Sequence, residues 1–247
     1  MHGKLFLIPT PIAPGQMLES AAQAMLLQAW QERPENSLFL IETPKAGRAQ
    51  WAQFGLPREA IPHLIAYNEQ TREQSLPAII EALLHGKNVY LMTDGGLPAF
   101  MDPGAELVQA CHERKIAVRS SPFPNSVLLA LALSGFPHQQ FLFEGALPRE
   151  SDERLQALKD YWRRPSTLVL LDAPYRLPKL LQMFSELSAS TGTHRNLFLG
   201  LDLQHDNERH LLFSSHDISS VQAELNNKYE FILIIAPIGW SSGHKKR

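Results

Sequence analysis

The chain has a single cysteine in 247 residues, Cys111, so no internal disulfide can form, and that usage fits a reducing compartment. No apolar run approaches the roughly 20 residues needed by a membrane-spanning helix. Met1-His2-Gly3-Lys4 runs directly into Leu5-Phe6-Leu7-Ile8, which reads as a strand and not as a leader. A cytoplasmic protein with no membrane contact is therefore expected. Excess charge is also lacking: 23 Lys and Arg oppose 25 Asp and Glu, for a net charge of -2. No global basic field draws nucleic acid, and an RNA partner gains no support from charge. The local basic clusters are Arg163-Arg164 and the tail His244-Lys245-Lys246-Arg247, the tail reading as a solvated terminus.

Several chemistries are missing too. The first expected strand is followed by Pro9-Thr10-Pro11-Ile12-Ala13-Pro14-Gly15, which lacks the G-x-G-x-x-G that holds a dinucleotide pyrophosphate. Neither a Walker A loop nor the G-x-S-x-G elbow of a serine hydrolase occurs. The ten histidines are scattered, with His205 and His210 flanking a turn, so no metal site is expected. Cys111 lies in an amphipathic helical stretch and reads as a small buried residue, not a nucleophile.

What is present is ordinary globular material, 44% hydrophobic and 19% charged, enough for two cores. Strands are expected over 5–9, 37–42, 63–66, 88–92 and 117–120, with helices over 17–30, 45–54, 71–85 and 103–114 between them. This alternation predicts a parallel, doubly wound sheet. Leu76, Ile79, Ile80, Leu83 and Leu84 form the expected core face of the third helix. Ser121-Pro122-Phe123-Pro124-Asn125-Ser126 breaks the pattern, because two prolines in three residues cannot continue a helix or strand interior. The boundary is placed there, giving domains 1–121 and 122–247. In the second, strands are expected over 141–144, 167–171, 197–201, 209–213 and 231–235, and helices over 127–133, 151–162, 177–188 and 217–225. The short polar link 202–208 predicts an antiparallel hairpin, hence a mixed sheet. The fold class is therefore α/β with two α/β domains.

The sharpest feature is Met92-Thr93-Asp94-Gly95-Gly96-Leu97-Pro98-Ala99-Phe100-Met101-Asp102-Pro103-Gly104, directly after an apolar strand. Ligands sit at the carboxyl ends of strands in open α/β sheets, and paired glycines allow close backbone approach. Asp102 is expected to cap the following helix, with Pro103 in its first turn. Replacing Gly96 with valine is expected to abolish ligand binding with the fold intact. Candidate proton acceptors are Glu42, ending the second strand, and Glu69, after the third; solvated or capping carboxylates are the bland alternative.

These residues, taken as a set, resemble the tetrapyrrole methylase superfamily of S-adenosylmethionine-dependent methyltransferases, and most closely its small-subunit ribosomal RNA ribose 2′-O-methyltransferase branch. The resemblance is carried by Leu7-Ile8-Pro9-Thr10-Pro11-Ile12, by Thr93 to Pro98 with Asp102-Pro103-Gly104, by Ser134-Gly135-Phe136-Pro137, by Phe141 to Pro148, and by Ala173-Pro174-Tyr175-Arg176-Leu177. It implies a homodimer with S-adenosylmethionine in a cleft between two domains. Donor contacts are implied from Pro9, Asp94, Gly95, Gly96, Leu97, Pro98, Asn125, Ser126, Leu171, Asp172 and Ala173, and a ribosomal RNA ribose hydroxyl is the acceptor that the resemblance implies. The alternatives are a tetrapyrrole or other small acceptor, or a weakened module that binds the donor or S-adenosylhomocysteine. The chain departs from the branch at Glu42-Thr43-Pro44-Lys45, which lacks its Asp and Arg, and at Leu201-Asp202-Leu203-Gln204. It departs again at Pro122-Phe123-Pro124-Asn125, where Phe123 either stacks on adenine or narrows the site.

Overall fold

The computed structural model describes residues 2–122, 125–145, 147–225 and 228–240, and divides into two compact units, Met1–Asn125 and Ser126–Arg247. Phe123 and the basic tail lie outside the described residues.

In the first unit, β1 (Lys4–Ile8), β2 (Ser37–Ile41), β3 (Ile65–Ala66), β4 (Asn88–Met92) and β5 (Ala117–Ser120) form one sheet in the order β3-β2-β4-β1-β5. Every neighbouring pair is parallel. The central strands are apolar without interruption because both faces are covered. Side chains alternate between them: Phe39, Ile41, Tyr90 and Met92 join α1 (Ser20–Glu32) and α2 (Pro44–Gln53), where Trp51 is fully buried. Leu40, Val89 and Leu91 join α3 (Arg72–Leu84) and α4 (Ala105–Glu113).

The differences from expectation are at element ends. α1 starts at Ser20, three residues late, because the Glu19 carboxylate accepts the Ala22 N–H at 3.0 Å and sets the cap. β3 keeps only two residues, since a 3-10 turn over Arg58–His63, containing Pro62, takes up its expected start. On α3, Ile79, Ile80 and Leu83 are buried, whereas Leu84 is 40% exposed and falls off the core stripe. α4 begins at Ala105 with Gly104 as its N-cap, so Asp102 and Pro103 stand outside the helix; the expected Asp102 cap is corrected.

The second unit holds β6 (Phe141–Glu144), β7 (Thr167–Leu171), β8 (Asn196–Leu201), β9 (Arg209–Ser214) and β10 (Phe231–Ile235), in the order β6-β7-β10-β8-β9. Only β6–β7 is parallel, and β8–β9 is the expected hairpin, so the sheet is mixed. Helices α6 (Ser151–Trp162), α7 (Leu177–Thr191) and α8 (Ile218–Glu224) share one core with Leu168, Leu170, Leu199 and Leu233. α7 buries Leu177, Leu180, Leu181, Phe184 and Leu187, the one-face spacing of a helix, and ends on left-handed Gly192. The apolar α5 (Ser126–Ser134) packs on β10 and β7.

Arg195, just before β8, is 2% exposed and has no acidic partner among the described residues. Its guanidinium donates to the carbonyls of Ala236, Tyr161, Trp162 and Ser166, tying β10, the end of α6 and the start of β7 together.

Candidate functional site

The connection after β1 runs toward β2, on one side, while that after β4 runs toward β5, on the other. The adjacent carboxyl ends of β1 and β4 therefore form a topological switch point, where the two loops part and leave a crevice. Here the structure closes a small bridge. Thr10 N–H donates to Gly96 O at 2.9 Å, Gly96 N–H donates to Thr10 O at 3.0 Å, and the Thr10 hydroxyl donates to Thr93 O at 3.0 Å. Thr10 is fully buried. Sequence reading placed it on the loop but gave it no role, because nothing in a Pro-Thr-Pro triplet shows a partner more than 80 residues away.

The glycine loop is conformationally demanding. Gly96 (φ 96°), Ala99 (65°), Met101 (66°) and Gly104 (130°) all have positive φ within nine residues. Left-handed backbone at non-glycine residues costs free energy and is held only where surroundings dictate it. The role expected of Gly96 changes accordingly. An added Cβ would meet nothing nearer than 3.9 Å, but its φ disfavours any L side chain and both its peptide groups are used by Thr10. Valine there strains the loop itself, so the expectation of an unaffected fold is corrected. Gly95 is exposed and its Cβ would lie 3.6 Å from Pro11 O, an ordinary contact. Pro9 and Pro98 are buried at the loop ends, while Leu97 is half-buried.

Three carboxylates gather at the ends of β2 and β4. Glu42 Oε2 accepts the Asp94 N–H at 3.1 Å, and Asp94 Oδ1 accepts the Thr43 N–H at 3.2 Å. Gln50 of α2 donates to Asp94 O. Asp102 Oδ2 approaches within 3.9 Å of where a Gly96 Cβ would stand. Burial, then the nearby charges of Glu42 and Asp94, push the Asp102 carboxyl up to about 7. Its ionisation therefore opposes folding: the group's contribution is fully present below the ordinary carboxylate range and is lost as pH rises through about 7. Asp102→Asn is expected to raise the melting temperature more at pH 8 than at pH 5. An equal change at both pH values in paired thermal melts would remove the electrostatic account.

The two candidate bases are brought together. Glu42 and the exposed Glu69 line one pocket of about 350 Å³ with Thr43, Pro44, Asn68 and Gln70. Asn68 holds this corner, accepting from the N–H groups of Gln70 and Thr71 and donating to Glu42 O at 3.1 Å. Asp94 itself lines a second pocket of about 210 Å³, with Pro11, Ile12, Gln50, Gln53 and Phe54 among others.

In the second unit, Asp172 is buried and its carboxylate is engaged: Arg176 donates to Oδ1 at 3.1 Å, as does the Ala173 N–H at 2.8 Å. Leu171 and Ala173 are half-buried, as are Asn125 and Ser126. Cys111 is fully buried and burial pushes its thiol up to about 11, as expected of a packing residue. Among the described residues no cluster of metal-ligating side chains exists, and no helix is long and apolar enough to cross a membrane.

The residues fit a ligand with both hydroxyl and charged groups, such as S-adenosylmethionine. Ser121 Oγ, at the end of β5, and Gln50 Oε1, whose amide nitrogen donates to Asp94 O, are buried without a hydrogen-bond partner. Each such group costs about 1–3 kcal/mol, which a bound polar ligand can offset.

The profile of the Tetrapyrrole (Corrin/Porphyrin) Methylases matches residues 21–200. Ribosomal RNA small subunit methyltransferase I of Escherichia coli O157:H7 is 30% identical over 203 residues, covering 82% of this chain and 66% of that protein. The chain thus spans just under two thirds of the length of that relative. The protein of the same name from Thermotoga maritima is 30% identical over 185 residues, covering 75% of this chain and 78% of its own length. In fold, the chain is similar to a Thermus thermophilus uroporphyrin-III C-methyl transferase crystallised with S-adenosylhomocysteine, with a TM-score of 0.51, 18% identity, and coverage of 95% and 97% of the two chains. Two α/β units with a glycine loop at the switch point, and these matches, converge: the chain belongs to the tetrapyrrole methylase family of S-adenosylmethionine-dependent methyltransferases, alongside the relatives named ribosomal RNA small subunit methyltransferase I.

Proposed function

We propose that the protein methylates a ribose hydroxyl of small-subunit ribosomal RNA. The observation that carries the reading is the pairing of Glu42 and Glu69 on one pocket beside the glycine loop, in a chain whose relatives bear the name of a ribosomal RNA methyltransferase. S-adenosylmethionine supplies a methyl group already electrophilic on its sulfonium. The protein's own task is then alignment, exclusion of water and removal of the acceptor proton.

In this reading Asp94, Gly95, Gly96, Leu97 and Pro98, with Pro9, Asn125 and Ser126, contact the donor. For Leu171, Asp172 and Ala173 the proposal rests on the resemblance alone, and because the Asp172 carboxylate serves Arg176, its contact falls to backbone atoms. The acceptor O–H proton passes to Glu42 or Glu69. Glu42 has one oxygen on the Asp94 N–H, which fixes the carboxylate and leaves the other oxygen for the proton.

The test uses purified small subunits and donor labelled in its methyl group. Glu42→Gln and Glu69→Gln are assayed separately, and loss of the true base is expected to slow turnover by about 100-fold or more with donor affinity retained. Unchanged turnover in both variants would remove the carboxylates from the mechanism. Label appearing in no ribosomal RNA would remove the acceptor.

Assembly as a homodimer in the cytoplasm is part of the same proposal. The α5 residue Leu133 is 39% exposed on an almost wholly apolar helix. A monomer mass by light scattering at micromolar concentration would count against it.

A further inference from the structure

We infer that the pocket between the β1 loop and α2 receives the base of the acceptor nucleotide, and that Gln50 reads an amino group on the edge of that base. The inference rests on the ribosomal RNA reading above and adds to it a place where the substrate is recognised.

The pocket, about 210 Å³, is bordered by the apolar Pro11, Ile12 and Pro14 of the loop after β1 and by Gln50 and Gln53 of α2. Its rim is already fastened, because Gln53 Nε2 donates to Gln16 O at 2.9 Å and so ties α2 to that loop. Drug-sized ligands take roughly 300–1,000 Å³, so this volume suits one flat base and not a whole nucleoside donor.

The polar wall points to the class of occupant. The Gln50 amide nitrogen donates to Asp94 O, which fixes the other end of the carboxamide as oxygen, since a flip would set two acceptors against each other. That oxygen, Oε1, is buried and has no donor. Buried acceptors are normally satisfied, so this one lacks a partner that the free protein does not supply. The last torsion of a glutamine is soft, and Oε1 can turn to meet an N–H group at the pocket wall. Asp94 lines the same pocket, and no Lys, Arg or His stands among the described residues around it, so a phosphate or carboxylate finds no counter-charge. Apolar walls with an unanswered acceptor suit an unstacked, uncharged nucleobase bearing an exocyclic amine.

Position ties this pocket to the reaction. Glu42 lines the larger pocket and accepts the N–H of Asp94, which lines this one. In a ribonucleotide the carbon bearing the 2′ hydroxyl is bonded to the carbon bearing the base. A single nucleotide can therefore present its hydroxyl to Glu42 and its base to Gln50. The loop after β4 heads the other way, toward β5, where the unsatisfied Ser121 Oγ is left for the donor.

The test first uses small subunits, the full wild-type chain and methyl-labelled donor to locate the acceptor nucleotide. Subunits are then rebuilt with the exocyclic amine of that nucleotide replaced by a carbonyl. The kcat/KM for both substrates is measured with wild type, Gln50→Met and Gln50→Glu, beside donor affinity by calorimetry. Wild type is expected to lose about tenfold or more on the substrate lacking the amine. Gln50→Met should lose as much on the natural substrate and no longer tell the two apart, with donor affinity retained. Both variants lose the bond to Asp94 O, and only Gln50→Glu keeps an acceptor, so it alone should still prefer the amine; a merely structural role would move both alike. An acceptor base without an amine, a wild type indifferent to it, a preference kept in Gln50→Met, or a loss confined to donor affinity would overturn the inference and leave the methyltransferase reading standing. Label in no ribosomal RNA would overturn the ribosomal RNA reading, and the inference with it.

Discussion

Arg195→Met is expected to destabilise the second unit by about 3–5 kcal/mol, the largest single-residue loss foreseen in it. The guanidinium is buried with no counter-charge among the described residues, a situation that normally favours removal of the charge. What opposes that is the cage of carbonyls. Tyr161 O and Trp162 O lie at the C-terminal end of α6, the negative end of the helix dipole, and Ala236 O and Ser166 O come from segments beside β10 and β7. The guanidinium also sits 5.7 Å from the Trp162 ring centroid. Burial lowers its pKa to about 10, so it stays charged at neutral pH. Methionine fills the volume but leaves these carbonyls unsatisfied. Arg195→Lys should fall between, since an ammonium has three donors and no planar fork. Urea unfolding of the three proteins reads this directly: a loss under 1 kcal/mol in Arg195→Met would mean that water or rearranged backbone replaces the cage.

Gly96→Val is expected to lower donor affinity on the order of 100-fold or more and to destabilise the first unit by about 1–3 kcal/mol. Both follow from one fact: φ of 96° at a residue whose two peptide groups hold the Thr10 bridge. A β-branched residue cannot keep that φ, so the bridge between the β1 and β4 loops opens. Gly95→Ala separates the two effects. Its added methyl meets no close contact in the free protein, so stability should change by less than about 0.5 kcal/mol. Any loss of donor affinity then reports a ligand lying against the loop. Calorimetry and thermal melting on both variants settle it: full donor affinity in a folded Gly96→Val protein would show that the donor lies elsewhere.

Much of this architecture is legible along the chain, for a local reason. Thr167–Leu171 and Phe231–Ile235 are uninterrupted apolar or β-branched runs, and Asn88–Met92 and Phe141–Glu144 carry one polar residue at the end of such a run. Their strand character needs no distant partner. The hairpin of β8 and β9 follows likewise from a short polar link. Element ends were less legible, because caps depend on single side chains such as Glu19, or on the freedom of Gly104.

The functional corner divides along the same line. That a glycine loop follows β4, that Glu42 and Glu69 come shortly after strands, and that the chain resembles a family of methyltransferases were all legible from residue types in sequence order. The order β3-β2-β4-β1-β5 was not, and that order alone sets β1 beside β4 and so pairs Thr10 with Gly96. Asp102 shows the difference most clearly. In sequence, Asp-Pro-Gly before a helical stretch reads as a cap, a local role. Only the tertiary structure brings Glu42 and Asp94 against it, and a carboxylate's charge responds to what is near in space, whatever its place along the chain.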